Sequence, residues 1–309
     1  EEGVILYFCR SLGLGDLYRR HIRNNPWFRT IWPGIARVPT PLGTDSVNLE
    51  ALLGLKPDVV ILLSGMGIQA RLEKAGLPVV VLERDNPDQL RQAIRLTARI
   101  MGPKEQQIAR RFDQYYAGNI RRVLARTASL PDSERRRVYF AGSQPLVTEG
   151  QNSMVDAWIR MAGGINVAAR HGIRGIGQTI PAEDLLQWRP EIIITLTPEV
   201  RERLLDMDSL KTLPAIRDGR VYVNPRGLYS WGVRSADEAL QTLWAAQTIQ
   251  PERSADLDLP AELRAFHREL YHHELSDLEY VRMLQPLLPP CHRQKQPHMV
   301  HTADHKYPI

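Results

Sequence analysis

Two aromatic rings and a guanidinium group lie close together in the later part of this sequence, on Tyr229, Trp231 and Arg234. They follow residues 220–224, whose apolar character predicts a strand. Ligands of α/β proteins bind beyond the carboxyl ends of strands, and aromatic faces with a guanidinium suit a large, partly planar or anionic molecule. We therefore favour a ligand site here. The alternative is that Trp231 packs in the core and Arg234 forms a surface ion pair.

A histidine in a glycine-rich segment is a second candidate. His171 stands in the sequence ARHGIRG at residues 169–175. An imidazole there could bind heme iron or contact another ligand. A surface histidine explains the same residue equally well, so both interpretations stay open.

The patterns expected of common catalytic and metal sites are absent from the sequence. It contains no G-x-S-x-G, no H-E-x-x-H and no G-x-x-x-x-G-K-[ST], and its cysteines, Cys9 and Cys291, form no C-x-x-C pair. The sequence therefore predicts no catalytic residue, no protein-held metal site and no covalently bound cofactor.

Composition excludes two further classes. The chain has 309 residues and a net charge of +5, but its arginines are spread along predicted helices without a nucleic-acid-binding module. No apolar run approaches the roughly 20 residues of a membrane-spanning helix. We therefore predict a globular protein that binds no nucleic acid.

A repeated segment indicates how the candidate residues are positioned. Residues 50–61 read EALLGLKPDVVI and residues 183–194 read EDLLQWRPEIII. Each copy predicts a short helix, a proline that ends it and a buried parallel strand. Two such units suggest two similar α/β lobes with a cleft between them.

The acids that open the two copies, Glu50 and Glu183, allow two interpretations. Acids are favoured at helix amino termini by the helix dipole, which explains them without any partner. Alternatively, they form a matched pair that contacts two basic sites on a partner protein.

The rest of the chain completes the predicted architecture. Residues 86–130 predict a long helical region, which Gly102 and Pro103 interrupt and whose second segment has about 24 residues. Ser235 and Glu238 predict a capping box at the start of a later helix. We expect two small α/β lobes with parallel sheets, residues 1–85 and 131–290, joined by a single long backbone helix, residues 86–130. A disordered polar tail at residues 291–309 would follow.

The sequence resembles the class III periplasmic binding proteins of ABC importers, which carry ferric siderophores, heme, cobalamin or related metal complexes. The resemblance rests on VNLEALLGLKPDVVI (47–61), SMVDAWIRMAGGINVA (153–168), IPAEDLLQWRPEIII (180–194) and DGRVYVNP (218–225). It extends over roughly residues 42–288. Residues 1–15 match the opening strand of the family poorly, and we expect that strand to be missing.

The resemblance implies a protein without catalytic activity, located in the periplasm or tethered by lipid outside the cytoplasmic membrane. It implies that Glu50 and Glu183 dock on arginines of the permease. It also implies that loops between the lobes line the ligand cleft. By position, these loops supply Thr44, Asp45, Ser64, Met66, Ser143, Gln144, Arg226, Tyr229, Trp231 and Arg234.

The expected function is therefore capture of a ferric siderophore or similar iron complex by a monomer that delivers it to the permease. Heme, cobalamin or an oxyanion is the alternative cargo, with His171 or Tyr229 as an axial ligand if the cargo is heme. A metal-dependent enzyme on the same architecture is the third hypothesis, which the lack of a cysteine pair or H-E-x-x-H disfavours.

Overall fold

A computed structural model describes residues 30–31, 39, 41–42 and 46–284 of the chain. Three predictions fall outside this part: the absence of the opening strand around residues 1–15, the polar tail at 291–309, and the site residues Thr44 and Asp45. The described residues form a mixed α/β fold with parallel sheets, which confirms the predicted fold class.

The first lobe is built around a β–α–β unit. Its elements are Leu49–Gly54 (α1), Val60–Leu63 (β1), Gln69–Lys74 (α2) and Val79–Leu82 (β2). Asn48 caps α1, because its side-chain oxygen accepts a hydrogen bond from the Ala51 amide at 3.0 Å. The two strands are parallel, and Val60 pairs with Val79. This lobe therefore presents the carboxyl ends of both strands on one edge.

A pair of helices follows, Pro87–Met101 (α3) and Pro103–Thr127 (α4). They meet at Gly102, whose φ of 129° suits glycine, and the break falls where the sequence predicted it. Arg91 ties the helices together, with Nε and Nη2 donating to the Asp113 carboxylate at 2.6 and 3.1 Å. The predicted long helical region is thus an antiparallel helical hairpin with a second helix of 25 residues.

The second lobe contains a four-stranded sheet and a two-stranded one. The larger sheet is formed by Arg136–Ala141 (β3), Gly164–Asn166 (β5), Ile192–Thr195 (β7) and Val221–Val223 (β8). Val147–Thr148 (β4) and Gln178–Thr179 (β6) form the smaller, antiparallel pair. The helices of this lobe are Met154–Met161 (α5), Val167–Arg170 (α6), Ala182–Trp188 (α7), Pro198–Leu205 (α8) and Pro214–Arg217 (α9), with 3₁₀ turns at Asp132–Glu134 and Asp208–Leu210. The parallel order β5-β3-β7-β8 places the apolar strand β7 in the interior of the sheet.

The helices that complete the described part pack against both the sheet and the helical hairpin. They are Glu238–Ile249 (α10), Pro251–Ser254 (α11), Leu259–Leu270 (α12) and Asp277–Leu284 (α13). Asn119 on α4 donates to the Ala239 carbonyl on α10 at 2.9 Å, inside a core that also holds Trp158 and Trp244. No helix in the described residues has the length and apolar character needed to cross a membrane.

The two copies of the repeat adopt the same local structure. Glu50 and Glu183 are each the second residue of a helix, α1 and α7. Lys56 and Arg189, the basic residues before the proline of each copy, share a left-handed backbone with φ of 47°. A residue before proline avoids the right-handed helical region, so this position ends each helix and redirects the chain into β1 or β7. The repeat is therefore confirmed as two helix–proline–strand units.

The predicted capping box at Ser235 and Glu238 is wrong. The helix α10 begins only at Glu238, and Asp237 precedes it. Asp237 is fully buried, and its carboxylate accepts hydrogen bonds from the Tyr229 amide at 2.9 Å and the Tyr271 hydroxyl at 3.0 Å. These contacts fix the loop between β8 and α10, so the segment around Ser235 belongs to that loop instead of the helix.

Candidate functional site

The candidate site lies where the strand ends of the two lobes meet. Arg84 follows β2 of the first lobe, and its Nη1 donates a hydrogen bond to the main-chain oxygen of Arg234 in the second lobe at 2.8 Å. Arg226 and Tyr229 follow β8. Burial raises the pKa of the Tyr229 hydroxyl, and the nearby charges of Arg84 and Arg226 partly offset that effect. The charges of two guanidinium groups therefore act on one phenol at the junction of the lobes.

Arg84 carries a positive charge that no described carboxylate neutralises. Its only side-chain hydrogen bond among the described residues is the one to Arg234, and Asp85 is close enough to act on its charge but forms no ion pair with it. Burial lowers the pKa of the Arg84 guanidinium, and the charge of Arg234 lowers it further. A partly buried cation without a counter-ion suits an anionic ligand.

The sequence reasoning missed Arg84. It stands in the sequence ERD directly after the apolar strand β2. The rule that ligands bind beyond strand ends, which selected the loop after β8, applies equally to this segment and would have selected it.

Arg234 is engaged within the protein. Its Nη1 and Nη2 donate to the two carboxylate oxygens of Glu149 at 2.9 and 3.2 Å, and both side chains are largely buried. The predicted role of its guanidinium in contacting a ligand therefore needs correction, because a paired carboxylate already occupies the donors. What Arg234 offers to the junction is its main-chain oxygen.

Trp231 also needs correction. Its side chain is 0% exposed and belongs to the core shared with Trp158. Trp231 therefore packs in the core, which was the alternative to a ligand contact. Burial of its large apolar ring stabilises the fold and leaves no face for stacking on a ligand.

The other predicted lining residues follow strand ends as expected. Ser64 is exposed, and Met66 is half-buried and packs on the first-lobe core after β1. Ser143 and Gln144 are exposed after β3, and the Gln144 side-chain oxygen accepts a hydrogen bond from Arg203. Their contact with a ligand, like that of Arg226 and Tyr229, stays a prediction.

His171 stacks on Trp188, with ring centroids 5.1 Å apart and an interplanar angle of 11°. It is exposed and lies directly after α6. Among the described residues, no group of three or more His, Cys, Asp and Glu side chains could hold a metal ion.

Glu50 and Glu183 are exposed in the first turns of α1 and α7. Neither carboxylate forms an ion pair or a side-chain hydrogen bond with another described residue. Their docking on a permease stays a prediction.

A groove of about 1140 Å³ lies away from these residues, between the helical hairpin and helix α5. Most of its arginines pair with acids of the protein, as in Arg160–Asp156 and Arg170–Asp132, whereas Arg135 donates to main-chain oxygens. Arg84, Arg226 and Tyr229, which follow strand ends, do not line it. Because ligands of α/β proteins bind beyond strand ends, we place the candidate site at the junction around Arg84 and not in this groove.

Buried carboxyl groups lie behind the junction at the start of α10. Burial raises the pKa of Asp237 to about 6 and that of Glu238 to about 8. Neither side-chain oxygen of Glu238 forms a hydrogen bond of normal geometry within the described residues, and the nearby main chain and charge of Arg234 only partly offset the effect of burial on its pKa. We therefore expect Glu238 to be protonated at neutral pH in the folded protein.

Replacing this buried acid by its neutral analogue should change how stability depends on pH. Folded Glu238 keeps its proton up to about pH 8, while the unfolded chain loses it near the ordinary value of 4.5. Its contribution to stability is thus complete below pH 4.5 and is lost as pH rises through 8. We expect Glu238→Gln to become more stable than wild type with rising pH, by up to about 4 kcal/mol.

Urea denaturation between pH 5 and 9 measures this difference. The exposed Glu202→Gln is the control and should follow the wild-type curve. If the free energies of unfolding of Glu238→Gln and wild type change with pH in parallel, the buried carboxyl is ionised in the folded state.

Comparison with known proteins gives a consistent result. The sequence model of the periplasmic binding protein family matches residues 26–226. The molybdate-binding protein MolA of Haemophilus influenzae is 28% identical over 265 residues, covering 77% of this chain and 74% of that protein.

Solved structures agree in fold. A periplasmic solute binding protein from Veillonella parvula superposes with a TM-score of 0.75 at 24% identity, over 92% of this chain and 89% of that chain. The structure of MolA bound to molybdate gives a TM-score of 0.76 at 22% identity, over 89% of this chain and 92% of that chain.

Proteins of this family are extracytoplasmic, bind small solutes and work with the permease of an ABC importer. They are transport proteins and not enzymes, which agrees with the expectation from the sequence. The family match, the parallel α/β fold and the polar junction between strand ends lead to one conclusion: this chain belongs to the periplasmic binding protein family, within the class III group that its sequence resembles.

Proposed function

We propose that this protein captures an oxyanion of the molybdate type at the junction of its lobes and delivers it to the permease of an ABC importer. The observation that carries the proposal is Arg84, a partly buried guanidinium without a carboxylate partner among the described residues. An oxyanion would neutralise it and accept its remaining N–H donors.

The surroundings of Arg84 support an anionic cargo. The charge of Arg226 acts on Tyr229 and also on Glu199, so an acid partly balances it. Arg234 adds little net charge, since Glu149 neutralises it. The positive charge that no described carboxylate pairs with is therefore that of Arg84, which suits a small anion bound by charge-assisted hydrogen bonds.

The relatives support the same class of cargo. MolA is named as a molybdate-binding protein, and its alignment extends over 77% of this chain. Its cargo is therefore the first solute to test here.

A ferric complex of an anionic siderophore is the second candidate, as the sequence first suggested. The observation that favours it is the phenol of Tyr229 within reach of the charges of Arg84 and Arg226, because carboxylate or catecholate oxygens of a chelator would be attracted by the same charges. Heme is the third cargo that the sequence suggested, with Tyr229 as its predicted axial ligand in this cleft. His171 stacks on Trp188, which precedes strand β7, so it lies toward the opposite ends of the strands.

Isothermal titration of the ligand-free protein with molybdate, tungstate, sulfate and a ferric catecholate complex tests the proposal. We expect molybdate or tungstate to bind one to one with a dissociation constant on the order of micromolar or tighter. Addition of hemin should give no Soret band of bound heme. Binding of the ferric complex without binding of either metal oxyanion would favour the second candidate, and a Soret band would favour heme.

A further inference from the structure

A chain of contacts connects the buried acid Glu149 to the guanidinium of Arg84, which the proposed function assigns to solute binding. The Glu149 carboxylate accepts two hydrogen bonds from Arg234, and the Arg234 main-chain oxygen accepts one from Arg84 at 2.8 Å. Glu149 and Arg234 belong to the second lobe, while Arg84 belongs to the first. The acid thus acts across the junction of the lobes through one intermediate residue.

The acid end of this chain of contacts is held rigidly. Asn166 donates to the Glu149 main-chain oxygen at 3.0 Å, and the amide of the next residue, Gly150, donates to the Gly175 oxygen at 2.9 Å. A Cβ at position 150 would lie 2.0 Å from the Ile173 oxygen, so only glycine fits there. The backbone of Glu149 is therefore held in place, and its carboxylate can fix the position of the loop that carries Arg234.

The loop that carries Arg234 has a backbone conformation that requires stabilisation. Arg234 has a left-handed backbone with φ of 67°, a conformation that costs an arginine on the order of 1 kcal/mol. The two-oxygen pair with Glu149 holds the side chain, and hence the backbone, in this conformation. The same conformation presents the Arg234 carbonyl to Arg84.

Charge provides an independent reason for the pair. The positive charge of Arg234 acts unfavourably on Arg84, and Glu149 compensates it. Burial raises the pKa of the Glu149 carboxyl, and the charge and hydrogen bonds of Arg234 partly offset that effect. The pair therefore lets a second guanidinium approach the Arg234 main chain.

We propose that Glu149 is a positioning residue for the solute site, because its pair with Arg234 holds the carbonyl that orients the Arg84 guanidinium between the lobes. The meaning of this role for transport rests on the proposed function. Glu149 itself need not contact the solute.

The variant Glu149→Gln separates positioning from simple electrostatics, because the two make opposite predictions. Removing a negative charge near an anion site should tighten binding of molybdate if only charge matters. If Glu149 positions Arg84, we expect binding to weaken about tenfold despite the added positive charge. Tighter or unchanged binding by the folded variant would overturn the proposal.

Two further variants keep the test decisive. The double variant Glu149→Gln with Arg234→Gln preserves the net charge and leaves neither buried ion without its partner. It should therefore fold even if Glu149→Gln alone does not. It should bind molybdate as weakly as is expected of Glu149→Gln. The matched control is Asp113→Asn, which removes the acid of another two-oxygen arginine pair, Arg91–Asp113, in the helical hairpin. It should lower the melting temperature without changing the affinity.

A measurement on the ligand-free protein keeps this inference separate from the identity of the cargo. In ¹⁵N NMR, the Arg84 side-chain signal, assigned by its loss in Arg84→Lys, should show slow rotation about the Nε–Cζ bond in wild type. That rotation should become at least about fivefold faster in Glu149→Gln and stay slow in Asp113→Asn, because the Nη1 hydrogen bond is lost only in the former. Equal rotation rates in wild type and Glu149→Gln would overturn the positioning role even if molybdate binds. Slow rotation in wild type that becomes faster in Glu149→Gln, without any binding of molybdate, would refute only the proposed cargo.

Discussion

Arg84→Gln is expected to abolish most of the affinity for molybdate, by about 30-fold or more, while leaving the protein as stable as wild type or slightly more stable. The affinity falls because a charge-assisted donor in a partly dry site typically contributes 2 kcal/mol or more, roughly a factor of 30. Stability is spared because burial and the neighbouring charge of Arg234 already disfavour the Arg84 cation in the ligand-free protein. Residues of ligand sites commonly lower the stability of the ligand-free protein in this way.

Isothermal titration and thermal unfolding of the same preparations measure the two effects. Arg99→Gln is the matched control, because it removes an exposed arginine of α3 and the same unit of charge. Arg84→Lys keeps the charge but loses the planar array of donors, and should bind with intermediate affinity. Arg84→Gln with wild-type affinity would remove Arg84 from the site and with it the main support for an oxyanion cargo.

Reversing both repeated acids, Glu50→Lys with Glu183→Lys, is expected to reduce solute uptake by cells to the background of a strain lacking the protein. Solute binding by the purified variant should stay unchanged. Both carboxylates are exposed in the first turn of their helices and are held by no other described side chain, so they are available to basic groups of a permease. Like charges placed against those groups would cost several kcal/mol at the interface.

The matched control reverses one exposed acid per lobe at other positions, Glu73→Lys with Glu202→Lys. It makes the same change in net charge and should leave uptake near wild type. Each single reversal of Glu50 or Glu183 should give a partial loss, because one of two contacts remains. If the double variant instead loses solute binding, the acids would belong to the fold or the cleft and not to docking.

Much of the fold could be predicted from the sequence, because the signals were local and occurred twice. The proline after Lys56 and the proline after Arg189 end their helices by steric exclusion, which needs no knowledge of the tertiary structure. The break at Gly102 was visible for the same reason. The capping box at Ser235 failed because tertiary contacts of Asp237 with Tyr229 and Tyr271 decided where α10 begins.

The site was harder to predict, because its residues are distant in sequence. The positions of Tyr229 and Arg226 after a strand could be predicted from the sequence, but the pairing of Arg234 with Glu149 joins residues far apart along the chain. The burial of Trp231 depends on which face of the loop meets the core, and alternation along a short loop does not encode this. Arg84 was missed although the same positional rule applies to it.

The matching left-handed residues Lys56 and Arg189 also bear on how the two halves are built. Few residues other than glycine adopt this conformation, and a long basic side chain has no particular preference for it. Its recurrence before a proline, at corresponding points of both halves, gives the two helix-to-strand connections the same backbone path. The halves differ at their strand ends, where one supplies Arg84 and the other the Glu149–Arg234 pair, so neither alone holds the complete set of contacts.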